Sequence, residues 1–206
     1  MTQEDIDVLI IGAGPAGTVA AGILNKAGIQ TKIIEKQTFP RFVIGESLLP
    51  RCMDNLDKAG LLEVVKDAGF QKKFGAKFIQ NNEVCDFDFS EQFTDGWTWT
   101  WQVPRASFDH VLAQEVERKG VPIEYNTSVE GVQIDENGTS YTKVYDQGGN
   151  ERIIKARHLV DASGWGRVLP RLLDLDEPSD FPVRTSMFCH LRDTRRPEGV
   201  DGNRIT

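Results

Sequence analysis

Three glycines between a strand-like and a helix-like stretch are the first residues whose spacing indicates chemistry. They lie in Gly12-Ala13-Gly14-Pro15-Ala16-Gly17, and the next apolar run ends in Glu35. Gly12 permits a tight turn, Gly14 lets the backbone approach a diphosphate, and Gly17 lets the helix pack closely on the sheet. The free N–H groups and partial positive charge at a helix N-terminus favour a phosphate there. The pattern therefore predicts a dinucleotide-binding turn.

The acid that follows this turn indicates which part of a dinucleotide it holds. Glu35 lies 18 residues after Gly17, at the end of the second apolar run. A carboxylate there accepts hydrogen bonds from ribose hydroxyls, which favours a free 2′-hydroxyl over a 2′-phosphate. The alternative is a glycine turn in an ordinary αβ unit. The strand before the turn, the helix after it and the acid together favour the dinucleotide site.

Composition and charge narrow the class of protein. The chain has 206 residues and a formal net charge of −7, which argues against nucleic acid or an anionic membrane surface as a partner. No apolar run approaches the roughly 20 residues of a transmembrane helix, and the acidic start is unlike a signal peptide, so no stable membrane insertion is expected. Three cysteines without CxxC spacing are expected to be reduced, and three histidines lack metal-ligand spacing. A cytoplasmic enzyme without a bound metal fits these properties.

Hydrophobic periodicity and turn residues place these motifs on predicted elements. Helices are predicted over residues 15–28, 48–59, 61–68, 105–119 and 165–173. Strands are predicted over 6–11, 31–35, 76–80, 84–89, 97–103, 122–125 and 158–161, with a β-meander between 129 and 156. The helical hairpin, the mixed strands and the meander interrupt the strand–helix alternation of a doubly wound domain. The expected fold is a Rossmann-type α/β domain with an inserted β-meander and an interleaved, mixed substrate sheet.

Four motifs in a fixed order resemble a known family. They are Gly12–Gly17 with Glu35, Pro40-Arg41-Phe42 with Gly45-Glu46-Ser47-Leu48-Leu49-Pro50, Gln102-Val103-Pro104-Arg105 with Phe108-Asp109, and Asp161-Ala162-Ser163-Gly164. Together they resemble the FAD-binding monooxygenase superfamily of the p-hydroxybenzoate hydroxylase type. Within it the chain is similar to the branch of flavin-dependent halogenases and geranylgeranyl reductases. The resemblance implies an FAD-binding domain formed by 1–70 and 105–175, and a substrate-sheet portion formed by 71–104 and 176–206.

The resemblance also implies which residues contact FAD. They are Gly12, Gly14, Pro15, Ala16, Gly17, Glu35, Lys36, Arg41, Ser47, Arg105, Val129, Asp161, Ala162 and Gly164. The adenosine end would lie on the glycine turn and Glu35, with Val129 contacting adenine through its backbone, and Arg41 and Ser47 would lie on the flavin side. Arg41 and Arg105 carry planar donor forks that suit a diphosphate or ribityl chain. Surface ion pairs are the alternative for either arginine alone.

The turn after the predicted strand 158–161 supports two compatible interpretations. Asp161 ends an apolar strand, where ligands gather in α/β sheets, and the small residues Ala162 to Gly164 let backbone approach a cofactor. Asp161 or Ser163 could equally cap the helix that follows.

Lys73 is the candidate catalytic residue. Its segment, Phe70-Gln71-Lys72-Lys73-Phe74-Gly75-Ala76-Lys77-Phe78, resembles the lysine-bearing entry into the substrate sheet of the halogenases. In that branch reduced FAD reacts with oxygen, and the resulting peroxide oxidises halide to hypohalous acid. The lysine then delivers the electrophilic halogen to a small organic substrate. A lysine whose pKa is lowered by burial could hydrogen-bond this acid or form a haloamine. The alternative is a solvated charge at a strand edge.

The function implied is an FAD-dependent oxidoreductase, halogenase-like or monooxygenase-like. One alternative is a geranylgeranyl-reductase-like flavoprotein, with the aromatic-rich strands 87–93 and 97–101 lining an apolar tunnel. Another is a non-catalytic dinucleotide-binding module. No second G-x-G-x-x-G is present for a nicotinamide, so electrons are expected from transient NAD(P)H or a separate flavin reductase. The family's third flavin motif, a Gly-Asp pair, is expected beyond residue 206, as in an N-terminal half.

Overall fold

The computed structural model describes residues 3–199 and 201–205. Its helices are α1 (Pro15–Lys26), α2 (Arg51–Ala59), α3 (Leu62–Asp67), α4 (Arg105–Arg118) and α5 (Val168–Leu172). Its strands are β1 (Gln3–Ile11), β2 (Thr31–Ile34), β3 (Gln71–Lys73), β4 (Gly75–Gln80), β5 (Glu83–Asp88), β6 (Thr100–Gln102), β7 (Ile123–Glu124), β8 (Ser128–Ile134), β9 (Ser140–Tyr145), β10 (Glu151–Asp161) and β11 (Arg204–Ile205). Single 3₁₀ turns cover Gly164–Gly166 and Asp201–Asn203.

A six-stranded sheet with the order β7-β2-β1-β10-β9-β8 is the centre of the fold. The strands β7, β2, β1 and β10 are parallel, whereas β10, β9 and β8 form an antiparallel meander. The meander is therefore continuous with the nucleotide-binding sheet, because its last strand is also the parallel neighbour of β1. This arrangement confirms the Rossmann-type α/β fold with a β-meander.

Strand β1 is buried on both faces, which explains its continuous apolar sequence. Val8 and Ile10 pack with the helices in the larger core cluster. Leu9 points to the opposite face, and a second core cluster joins it and Ile6 to Ile154 and its neighbours in the meander. Helices therefore cover one side of the sheet at this strand, and the meander covers the other.

Two smaller sheets complete the described chain. In one, β4 lies between β11, which is parallel to it, and β5, which is antiparallel, so the sheet is mixed as expected. In the other, β3 pairs antiparallel with β6. A single bridge between Ser47 and Gln102 joins this pair to the loop after β2. Lys73 is consequently placed beside the loop that carries Ser47.

The structure differs from the sequence prediction where tertiary contacts override local propensity. The helix predicted from residue 48 begins at Arg51, and Leu48 instead lies beside β6, where its N–H donates to the Trp101 carbonyl at 3.2 Å. The strand predicted over 97–103 contracts to β6. The two tryptophans before it pack against the helical core and against each other, with the rings of Trp97 and Trp99 5.8 Å apart.

Two further differences concern the end of the nucleotide-binding unit. The predicted strand 158–161 is the final part of β10. The helix predicted over 165–173 is divided, because Arg167 adopts a positive φ of 43° between the 3₁₀ turn and α5. Among the described residues no helix combines the length and apolar content needed to cross a bilayer.

Candidate FAD site

The glycine turn lies between β1 and α1, and each glycine meets a different steric demand. Gly12 has a φ of +101°, and a Cβ there would lie 2.6 Å from the carbonyl oxygen of Ala162. A Cβ at Gly17 would lie 2.0 Å from the carbonyl oxygen of Gly12. At Gly14 the nearest neighbour of an added Cβ would be Nη2 of Arg41, at 3.7 Å. Gly12 and Gly17 are thus required by packing, whereas Gly14 leaves the backbone bare.

Glu35 is buried directly beneath this turn. Its Oε2 accepts a hydrogen bond from the Ala13 N–H at 2.9 Å, and its Oε1 accepts one from the Gln37 N–H at 3.0 Å. Nη2 of Arg41 lies 3.8 Å from Oε2. The carboxylate therefore holds the glycine turn in place while it lines the same cavity. Its contact with a ribose stays a prediction.

Arg41 and Arg105 converge on one buried carboxylate. Nη1 of Arg41 donates to Oδ2 of Asp109 at 3.2 Å, and Arg105 donates to the same carboxylate through Nε at 2.8 Å and Nη2 at 3.1 Å. Nη1 of Arg105 also donates to the carbonyls of Ile44 and Gly45, at 3.2 and 3.3 Å. Both arginines are therefore positioned by the protein itself.

The turn after β10 caps the short helix α5. Oδ1 of Asp161 accepts from the Ser163 N–H and Oδ2 from the Leu169 N–H, each at 2.8 Å. Ser163 Oγ accepts from the Val168 N–H at 3.1 Å. Both capping candidates named by the sequence are thus used. Ala162 and Gly164 line the cavity, so capping and cavity lining share one turn.

A cavity of about 1140 Å³ collects these elements. Predicted site residues that line it are Gly12, Gly14, Pro15, Ala16, Glu35, Lys36, Arg41, Arg105, Val129, Ala162 and Gly164. Within the described part of the chain, Gly17, Ser47, Lys73 and Asp161 lie outside this lining. Gly17 and Asp161 act one layer behind it, through the packing and hydrogen bonds given above.

Sequence reasoning did not find several lining residues. Among them are Thr127 on the approach to β8, Trp165 in the 3₁₀ turn, and Arg167 and Arg171 around α5. The arginines had a usable signal, since they lie four residues apart directly after the Asp-Ala-Ser-Gly turn. Thr127 had none, because only the fold brings the start of the meander beside the glycine turn.

Lys73 occupies a second, adjacent environment. Its Nζ donates to Ser47 Oγ and, at 2.6 Å, to the Leu48 carbonyl, and it lies 5.3 Å from the centre of the Phe89 ring. Burial lowers the pKa of Lys73 below its ordinary value of 10.5, and the neighbouring Cys52 partly opposes this. Lys73 is therefore a buried amino group whose two hydrogen-bond acceptors are neutral.

The donor set of the cavity fits FAD. The bare backbone at Gly14 gives a diphosphate room beside the N-terminus of α1. Nε of Arg41 is buried and has no hydrogen-bond partner among the described residues, and a buried donor of this kind favours an acceptor. Fold and site together define an FAD-binding protein of the Rossmann type.

Comparison with known proteins agrees with an FAD-binding domain. Residues 5–178 match the family described as "FAD binding domain", so the chain belongs to that family. It is 32% identical to the 1H-pyrrole-2-carbonyl-[peptidyl-carrier protein] chlorinase of Pseudomonas fluorescens, over 98% of this chain and 50% of that protein. It is also 32% identical to the tryptophan 2-halogenase of Chondromyces crocatus, over 76% of this chain and 30% of that protein.

Solved structures give the same result. A flavoprotein/dehydrogenase from Cytophaga hutchinsonii superposes with a TM-score of 0.84 and 58% identity, over 87% of this chain and 44% of that chain. The myxobacterial chondrochloren halogenase superposes with a TM-score of 0.70 and 32% identity, over 77% of this chain and 37% of that chain. The chain thus spans half or less of the length of these relatives.

Proposed function

We propose that this chain forms the FAD-binding part of an FAD-dependent oxidoreductase that acts on a small organic substrate, halogenase-like or monooxygenase-like. The observation that carries the proposal is the cavity where the bare turn at Gly14, the buried Glu35 and the guanidinium of Arg41 meet. The halogenase relatives support the halogenase-like alternative. When bound, FAD supplies the redox chemistry, and the residues of the chain bind and orient it.

Within this proposal the cavity is divided along the cofactor. The glycine turn, Lys36 and the backbone of Val129 hold the adenosine end, with Glu35 accepting from the ribose. Arg41 and Arg105 serve the diphosphate and ribityl portion, beside the turn formed by Asp161, Ala162 and Gly164. Ser47 belongs to the flavin side. The division into an FAD-binding domain and a substrate sheet over 71–104 and 176–206 is part of the same proposal.

FAD titration of the purified protein tests the binding part. Arg41→Met is expected to weaken FAD binding at least about tenfold, because a charged donor within reach of the diphosphate is lost. Arg157→Met is the matched control, since Arg157 is exposed on β10 and lies outside the cavity lining within the described residues. Failure of the unmodified protein to bind FAD would contradict the proposal.

Lys73 is proposed as the residue that delivers an electrophilic halogen in the halogenase-like reaction. Its burial, its lowered pKa and its neutral acceptors support this role, because burial shifts the equilibrium of the side chain from the ammonium toward the neutral amine. Lys73→Met is expected to abolish halide-dependent modification of a phenol or pyrrole by reduced FAD and oxygen. Lys72→Met, which removes the neighbouring lysine stacked on Trp99, is the control. Halogenation retained in Lys73→Met would show that Lys73 has another role.

The reductase alternative depends on apolar aromatic surface for an isoprenoid. Phe78 and Phe87 are more than half exposed on β4 and β5, with rings 5.8 Å apart. Trp101, by contrast, is buried in the helical core. Saturation of an isoprenoid double bond without halide would favour this alternative. The electron donor is either transiently bound NAD(P)H or a separate flavin reductase. Measuring flavin reduction by NAD(P)H with and without such a reductase distinguishes the two.

A further inference from the structure

Asp109 is a fully buried carboxylate to which the function proposed above assigns no role. It lies in the second turn of α4, and its side chain has no exposed surface. Both of its oxygens accept from guanidinium groups, Oδ1 from Arg105 and Oδ2 from Arg105 and Arg41. A buried charge is tolerated only when it is paired and hydrogen-bonded in this way. The arrangement therefore costs desolvation that an apolar residue would avoid.

The two arginines are held to different degrees. Arg105 is engaged through Nε, Nη1 and Nη2, since it also binds the carbonyls of Ile44 and Gly45. Arg41 donates to Asp109 through Nη1, whereas its Nη2 is directed at the region of Glu35 and Gly14. Arg41 therefore retains donors for a ligand, and Arg105 acts as a brace.

We infer that Asp109 is a positioning residue which, braced by Arg105, holds the guanidinium of Arg41 beside Gly14 for the diphosphate of FAD. The carboxylate fixes one edge of the Arg41 fork and leaves the other edge facing the turn. Phe39 also helps to hold the guanidinium of Arg41, because the guanidinium carbon lies over its ring, 4.6 Å from the ring centre. This inference rests on the proposed binding of FAD.

Electrostatic and positioning roles of Asp109 predict opposite changes in FAD affinity. Arg41, Arg105, Asp109 and Glu35 together carry no net charge in their ionised forms. Asp109→Asn removes one negative charge beside an anionic diphosphate, so a purely electrostatic role predicts tighter FAD binding. Positioning predicts weaker binding, because the amide no longer gives two guanidinium groups two charged acceptors. The sign of the change in affinity therefore distinguishes the two roles.

The test is a double-mutant cycle read by FAD titration. Asp109→Asn is expected to raise the dissociation constant for FAD by about tenfold. In an Arg41→Met background the same change is expected to have an effect smaller than about twofold, because Asp109 acts through Arg41. Glu115→Gln, a loss of one carboxylate later on α4, is the matched control and should leave FAD affinity unchanged.

Two results would overturn the inference. One is unchanged or tighter FAD binding by Asp109→Asn, and the other is an equal loss of affinity in the Arg41→Met background. If Asp109→Asn does not fold, Arg105→Lys decides when it is made with and without Arg41→Met, since it keeps the charge but loses the fork. It is expected to weaken FAD binding several-fold alone and clearly less in the Arg41→Met background, and unchanged affinity or an equal loss in both would overturn the inference. FAD binding by the unmodified protein is the separate check on the proposed function.

Discussion

Glycine performs two separate tasks within one six-residue turn. At Gly12 the backbone adopts a left-handed φ, and the neighbouring chain at Ala162 leaves no room for a side chain. At Gly14 the backbone conformation suits any residue, and the space beside it belongs to the cavity. Substitution at Gly12 should therefore affect folding, and substitution at Gly14 should affect the ligand.

Alanine at these two positions should separate the tasks. Gly12→Ala is expected to lower the free energy of unfolding by more than the ~1–2 kcal/mol of left-handed strain alone, because its Cβ also meets the Ala162 carbonyl. Gly28→Ala is the control, since Gly28 has a φ of +74° and nothing within 4 Å. Gly14→Ala should unfold at nearly the normal urea concentration and bind FAD more weakly. Equal destabilisation by Gly12→Ala and Gly28→Ala would contradict the steric part of this argument.

Lys73 makes stability depend on pH in a defined direction. Burial lowers its pKa below 10.5, so the unfolded chain binds the proton more tightly than the native one. Stability contributed at this site should therefore rise as pH increases from the lowered native pKa toward 10.5. Urea unfolding gives the free energy of unfolding of the unmodified protein minus that of Lys73→Met. This difference should increase between about pH 7 and about pH 10. The same comparison with Lys72→Met gives the general effect of losing a lysine. A stability difference between the unmodified protein and Lys73→Met that does not change with pH would contradict the expectation.

At the scale of elements, helix α4 begins at the cavity and ends at a group of ion pairs outside the cavity lining of the described residues. Its first turns carry Arg105 and Asp109, and its last turn carries Glu115, which pairs with Arg118 and Lys119. The buried positions Phe108, Leu112 and Val116 form the stripe that holds the helix on the core. The ion pair at the C-terminal end therefore stabilises the helix without contacting the cavity.

The ion pairs of Glu115 make the free energy of unfolding depend on pH in a defined direction. Hydrogen bonding to Arg118 lowers the pKa of Glu115 to about 2 from an ordinary value of 4.5. Its contribution to stability should be complete above pH 4.5 and should disappear as pH falls toward about 2. The stability difference between the unmodified protein and Glu115→Gln should thus be larger at about pH 6 than at about pH 3. Glu136→Gln, in the exposed turn between β8 and β9, is the control.

Elements with strong local signals were predictable from sequence. The glycine turn with α1, the Asn-Gly turn of the meander and the apolar stripe of α4 each follow from residue type and spacing alone. The strand β3 was not predictable, because its three residues are polar and become a strand only by pairing with β6. The role of Asp109 was also hidden, since Arg41 lies 68 residues away in sequence.

At the scale of the whole molecule, the cavity is a product of tertiary structure. Its lining begins at Ile11 and ends at Leu172, and it draws on β1, the loop before α2, α4, β8 and α5. Of these, β1 and β8 belong to the six-stranded sheet, α5 packs on β8, and α4 packs on α1 and α3. A ligand there bridges parts of the chain that separate on unfolding, so binding should be linked to global stability.

FAD should therefore stabilise the entire fold. At a hundred times its dissociation constant, FAD is expected to add about 2.7 kcal/mol to the free energy of unfolding. Urea midpoints measured with and without FAD give this quantity, and far-UV circular dichroism and tryptophan fluorescence should report the same shift. Both probes should move together because the cavity lining draws on the sheet and on helices, and the buried Trp101 belongs to the core that holds them together.

FMN at the same concentration separates the two ends of the cofactor. It lacks the AMP half of FAD, so it carries neither the adenosine proposed to lie on the glycine turn and Val129 nor the second phosphate of the diphosphate. A markedly smaller shift with FMN is therefore expected. An equal shift would place the dominant contacts on the flavin side, and no shift with FAD would contradict binding in this cavity. A shift in only one probe would mean that FAD stabilises only one part of the chain. That result would contradict binding in this cavity, because a ligand that contacts all these segments should stabilise them together.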